Sequence, residues 1–201
     1  MKTLTKWLFQ PFDYIAGWPA LFIGLVVMAI LAIASYFTGV HFDGLLDTHI
    51  NGQKSSLTYC IIEQVIPWFT FFILLYISGL IFSKTSIRII DIAGTTAFAR
   101  IPVIFQLPVT LCIKMLLPAD LMDKLAQHQV PDFNPLNIGF ILIISVFGIA
   151  ALAWEVYLFY KAYSVSCNIK GTKAVISFIV VILIAEILSK VFLYLVHKQL
   201  I

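Results

Sequence analysis

The sequence predicts an all-α, polytopic membrane protein, a bundle of five transmembrane helices. Three observations carry that class. The 201 residues are 61% hydrophobic and 11% charged, with mean hydropathy +1.01; a soluble domain is about 45–50% apolar and about 25% charged. Five stretches are long and apolar enough to cross about 30 Å of hydrocarbon at about 1.5 Å per residue. Finally, lysine and arginine concentrate on one side of the chain's path across the bilayer, as the positive-inside rule requires.

Residues 1–18 come before the first span. They mix Lys2 and Lys6 with Trp7, Leu8 and Phe9, the composition of an interfacial anchor. No cleavable signal peptide is read, because the first apolar run is too long for an h-region and lacks an A-x-A-like exit. The spans are placed at Pro19–Gly39, Cys60–Phe82, Asp91–Leu117, Pro135–Tyr160 and Lys173–Val196. Asn51-Gly52 marks a turn in the first connection. The third span carries Pro102 and Pro108; each removes a backbone donor and clashes with the preceding turn, so this helix is expected to kink. The connection PADLMDKLAQHQV has the pattern of a short surface helix with Leu121, Met122 and Leu125 toward lipid. Asn134-Pro135 reads as an N-cap with proline at the first helical position. Lys170-Gly171-Thr172 reads as a turn before the last span. Lys2, Lys6, Lys84, Arg88, Lys161, Lys170 and Lys173 fall on one side, and Lys54, Lys124 and Lys198 on the other. The N-terminus is therefore expected in the cytoplasm and the C-terminus outside, in a cell (inner) membrane.

Small residues suggest how the bundle closes. Ala16, Ala20, Gly24 and Ala32 share one stripe of the first span, Ala93 and Ala97 lie on the third, and Ala185 and Ser189 on the fifth. Such stripes let helices approach closely in lipid, within the chain or between copies.

Arg100, Glu155, Glu186, Lys190, Glu63 and Lys114 lie inside spans. A charge at the bilayer centre costs about 2.5–3.5 kcal/mol even on insertion scales, so these residues must turn inward, pair or snorkel. Arg100 lies about 14 Å past Asp91, a depth from which it reaches Glu155 or Glu186. Glu186 has Lys190 at i+4 in the favourable order, and Glu155 has no partner in its own helix. The expected pairs are therefore Arg100 with Glu155 and Glu186 with Lys190, with Glu63 and Lys114 joining the outer group. They serve either as clamps that set helix register or as a polar pathway.

Catalytic signatures are absent: no HExxH, GxSxG, Walker loop or GxGxxG. No histidine sits at the depth of the span serines, which argues against an intramembrane serine hydrolase. Cys60, Cys112 and Cys167 form no CxxC or Cys/His pattern. In HFDGLLDTH, the donors His41, Asp43, Asp47 and His49 are of types that hold a divalent metal. Their spacing matches no established site, and the stretch is read as a solvated loop, with no metal or other cofactor expected. The net charge of +3 is explained by the membrane asymmetry and calls for no nucleic acid.

Two stretches resemble a known family. GTTAFARIPVIF in the third span is similar to the aromatic-then-proline stretch of the Yip family, Ypt-interacting membrane proteins with five spans. AWEVYLFYKAYSVSCNIKGTKAVISFIVVILI resembles that family's tryptophan-bearing fourth helix, short glycine loop and apolar last helix. In layout the likeness covers nearly the whole chain as a single Yip-like transmembrane domain, residues 1–201. The DLYGP-type motif and the long hydrophilic amino-terminal region of eukaryotic members are absent, so the chain resembles the compact bacterial members. In eukaryotic members the resemblance would imply vesicle traffic with small GTPases.

Two functions are expected from these readings. One is a non-enzymatic membrane protein that organises lipids or partner proteins, with membrane lipids, other membrane proteins or further copies as partners. The other is a small transporter or permease using Arg100, Glu155 and Glu186. A polar cavity lined by Arg100 and Glu155 would favour transport, and sealed charges the organiser.

Overall fold

The structure, a computed structural model, describes residues 2–50, 55–118, 124 and 134–200. Its helices are α1 (Lys2–Phe9), α2 (Gly17–Thr38), α3 (Leu57–Phe82), α4 (Ile89–Phe98), α5 (Gln106–Leu116), α6 (Pro135–Ser166) and α7 (Gly171–Leu200). Five spans are long and apolar enough to cross a membrane, with α4 and α5 together making the third. The chain is thus an all-α polytopic bundle. The Asn51-Gly52 turn and the surface helix expected around Leu121, Met122 and Leu125 lie outside the described residues.

Local chemistry sets several boundaries. Asn134 caps α6, its Oδ1 accepting the Leu136 N–H at 3.0 Å, as the Asn-Pro pair predicts. Ser56 caps α3 by accepting the Tyr59 N–H at 3.2 Å. The fourth span runs past Tyr160 to Ser166. Lys161 marks no end, because it lies 5.6 Å from the Tyr157 ring while Ala162 and Tyr163 beyond it are buried.

The third span breaks rather than bends. α4 ends at Phe98, and a 3₁₀ turn over Ile101–Phe105 joins it to α5. Pro102 opens that turn, where it supplies no N–H to continue α4. Pro108 is the third residue of α5, in the first turn, where its missing N–H is not needed. The break therefore belongs to Pro102, not to the two prolines together. A further proline, Pro67, sits inside α3.

α4 packs among α2, α3 and α6; α7 packs on α3, and α5 on α6. In lipid the hydrophobic effect does not drive helices together, so close approach and interhelical hydrogen bonds must. A methyl at Gly24 would collide with the backbone of Ala97, and one at Gly94 with that of Gly17. The small stripes of the first and third spans thus meet within the chain. The Tyr163 hydroxyl bridges Ser78 Oγ on α3 at 2.7 Å and Ser177 Oγ on α7 at 2.9 Å. Thr95 Oγ1 and Ser166 Oγ lie 2.9 Å apart between α4 and α6. Phe71, Leu75, Ile92, Phe159 and Phe178 fill the space between these polar ties. Near the amino end, Trp154 Nε1 donates to the Leu8 carbonyl at 2.9 Å, and Phe12 is buried beside Phe98. α1 is thereby held on α6.

Candidate functional site

Polar side chains form a column from the centre of the bundle to the end that carries the loop of residues 40–50. The deepest layer joins α3, the break after α4, and α6. Arg100 is fully buried and Glu155 nearly so, at 0% and 2% exposure. Arg100 Nη2 donates to Gln64 Oε1 at 3.2 Å. Its Nε and Nη1, and Oε1 of Glu155, make no hydrogen bond among the described residues. The expected pair is therefore not a direct one. The Arg100 hydrogen bond goes to a neutral amide instead. The physical reason is the break: the 3₁₀ turn puts Arg100 at the seam facing α3, where Gln64 stands.

The middle layer is Glu186 on α7. Its Oε2 accepts the backbone N–H groups of Leu45 and Leu46 at 2.8 and 3.1 Å. Its Oε1 lies 3.3 Å from Lys190 Nζ, the i,i+4 pair that the sequence predicts. A Cβ at position 44 would stand 2.6 Å from Oε1 of Glu186, so any larger residue there would push the carboxylate aside. Lys190 also reaches Asp47 Oδ2 at 2.7 Å. Lys114 is exposed on α5, and among the described residues no ion pair joins it to these layers.

The outer layer overturns the reading of HFDGLLDTH as solvated. Residues 40–41 and 49–50 pair as two short antiparallel strands, β1 and β2, with His41 opposite His49. Val40, His41, Phe42 and Leu45 are all buried. The loop folds inward because its apolar residues find the bundle and two of its amides find Glu186. The four metal-donor candidates do not converge. Asp47 goes to Lys190, while Asp43 Oδ2 lies 3.0 Å from His49 Nδ1. His41 Nδ1 instead meets both oxygens of Glu63, at 2.9 and 3.0 Å. The Asp43 carboxylate holds His49 above the ordinary histidine range, and His49 in turn holds Asp43 below the usual carboxylate range.

Above this layer lies a cavity of about 320 Å³, lined by His41, Asp43, His49, Glu63, Lys190 and His197 among others. Arg100 and Glu155 do not line it. Sequence reasoning missed Gln64, the His41–Glu63 pair and the capping of Glu186. Glu63-Gln64 side by side in an apolar span is the signal that would have drawn attention to the first two.

Apolar grooves mark the flanks. One of about 460 Å³ runs between α3 and α7, lined by Leu74, Ile77, Ile81, Val180 and Val181, with Lys173 at its end. Another of about 860 Å³ lies among α1, α5 and α6, with Phe9, Phe105, Val109, Phe147 and Trp154 in its walls.

No curated protein matches the chain, and no solved structure matches it. The model of the Yip1 domain does, over residues 13–191. That match takes in Arg100 and its break, Glu155, the folded outer loop and Glu186, so the column just described lies within the domain, and the chain belongs to the Yip family.

Proposed function

We propose that this chain is a non-enzymatic membrane protein that organises its surroundings by holding phospholipid, with its amino end in the cytoplasm of a cell whose inner membrane it spans. The observation that carries the reading is the groove between α3 and α7. Its walls are aliphatic, and Lys173 stands at the end assigned to the cytoplasm. An acyl chain fits the walls, and a lipid phosphate fits the ammonium at headgroup depth. The sealed Arg100 and Glu155 are structural in this reading, tying α3, the third span and α6 into one register.

The transporter reading draws on the outer cavity above the charged column. It is the weaker one, because a solute in that cavity meets Glu63 and Lys190 but not Arg100 or Glu155.

Native mass spectrometry of gently purified protein tests the proposal. Anionic phospholipid should stay bound to the wild type. Lys173→Glu should lower its retention by at least about fivefold, one basic contact near a membrane surface being worth about 1 kcal/mol. Val180→Trp, which fills the groove, should act similarly. Equal retention in all three proteins would remove the groove from the account.

A further inference from the structure

We propose that His41, Cys60 and Glu63 form a site for a divalent transition-metal ion of the zinc class, loaded from the outer cavity. The inference goes beyond lipid holding and rests on different residues.

The three side chains come from two elements. Cys60 and Glu63 lie one turn apart at i and i+3, on one face of the first turns of α3. His41 comes from β1, carried inward by the folded loop. One ligand atom from each, nitrogen, sulfur and oxygen, lies within 4.8 Å of the other two. All three residues are buried, at 1%, 0% and 0% exposure. Neighbouring ligands in a tetrahedral zinc site are about 3.5 Å apart, given metal–ligand bonds of about 2.0–2.3 Å. Closing the difference takes about 1 Å of side-chain movement and no change of fold.

The donor types choose the metal. A thiolate with an imidazole suits zinc, cobalt and similar ions, whereas magnesium and calcium require oxygen donors. Charge balance favours burial: the Cys60 thiolate and the Glu63 carboxylate together cancel a dication, so the loaded site is neutral in a low-dielectric setting. Loading sends the Cys60 thiol proton to solvent. The metal then takes the place of the hydrogen bond between His41 Nδ1 and Glu63, and the imidazole proton passes to Nε2.

The surroundings fit a site and not a chance cluster. Ser55 Oγ lies 3.3 Å from His41 Nε2, so the ring is held from behind with Nδ1 toward Glu63. Such a partner orients a metal-bound histidine. His41 and Glu63 both line the outer cavity, which supplies an entry path and room for a fourth, exchangeable ligand. Asp43 and His49 stand at its mouth, half-exposed. Lys190, the one lysine of the lining among the described residues, already faces Asp47 and Glu186, so its charge is balanced locally.

The test uses the full chain without a polyhistidine tag, stripped of metal by a chelator and titrated with cobalt(II). One equivalent should bind with a thiolate-to-cobalt charge-transfer band in the near ultraviolet, and zinc should displace it. Cys60→Ser should lose that band, while Cys112→Ser should keep it. Ser55→Ala should weaken zinc binding about tenfold or more. In case Cys60→Ser fails to fold, X-ray absorption on the zinc-loaded Cys112→Ser protein reads the same ligand directly, as one sulfur at about 2.3 Å. A wild type with no thiolate band at saturating cobalt, a band that survives in Cys60→Ser, or a zinc shell of nitrogen and oxygen alone would each overturn the site. Lipid retention in Lys173→Glu is independent of all these readings.

Discussion

Arg100 lies at the centre of the bundle with no exposure, donating one hydrogen bond to Gln64. Removing one partner of a buried hydrogen bond costs about 1–3 kcal/mol, because the other is left unsatisfied. Arg100→Leu should therefore lower the unfolding temperature in detergent, since it strands Gln64 Oε1 and removes the cation buried nearest the Glu155 side chain. Adding Glu155→Gln to that variant should recover part of the loss. An Arg100→Leu protein that melts with the wild type would show that the two charges are not coupled. The depth and inward direction of Arg100 were legible in the sequence, because a guanidinium in oil has few places to go. Its hydrogen-bond partner was not. Counting residues along straight helices put Arg100 within reach of Glu155 or Glu186, but Pro102 ends the helix, and the resulting turn aims the side chain at α3.

At the scale of elements, the spans were the most legible part of the molecule. Hydropathy and length mark a membrane helix because backbone groups in hydrocarbon must bond within their own segment. The ends were legible where caps announced them, as at Asn134, or where apolar residues gave way to polar ones, as after Phe82. The fourth span was cut short at Lys161 because a charge looks like an interface when its stem and its ring contact are unseen. Close packing of α2 on α4 rests on Gly24, beside the Ala97 backbone. Gly24→Leu should prevent the pair from closing, giving loss of monodisperse protein on size-exclusion chromatography. Gly139 on α6 has nothing within 4 Å of a Cβ placed there. Gly139→Leu should fold as the wild type or slightly better, a glycine in a helix costing about 1 kcal/mol relative to a good helix former. Equal behaviour of the two variants would mean that the small stripe does not set the approach.

For the whole molecule, the outer loop closes one end of the bundle, and its charges add a small pH dependence to that closure. The Asp43 carboxylate raises His49, with the charges of Glu63 and Asp47 adding to the effect. The contribution of a raised histidine is fully present below its unfolded value and is lost as pH rises through the folded one. Asp43 is depressed, so its contribution is present above its unfolded value and lost as pH falls through the folded one. The pair therefore steadies the loop between the lowered Asp43 value and the raised His49 value, with losses at both sides. Both groups are more than a third exposed, so solvent keeps the effect small. Hydrogen exchange across residues 40–50 should increase as pH rises through the His49 transition, beyond the intrinsic rise in rate. NMR should place that transition above the ordinary histidine range, and Asp43→Asn should bring it down. A His49 transition unchanged by Asp43→Asn would remove the pair from the account.

Sequence alone determined the solvent, the number of spans, their approximate limits and the family likeness. All of these follow from local composition and from motifs that a chain carries wherever it folds. Tertiary structure decided which charges meet. The outer loop turned inward over Glu186, His41 left its loop neighbours for Glu63, and Arg100 met Gln64. Each choice was made by groups far apart in the chain, competing in hydrocarbon for a small supply of partners.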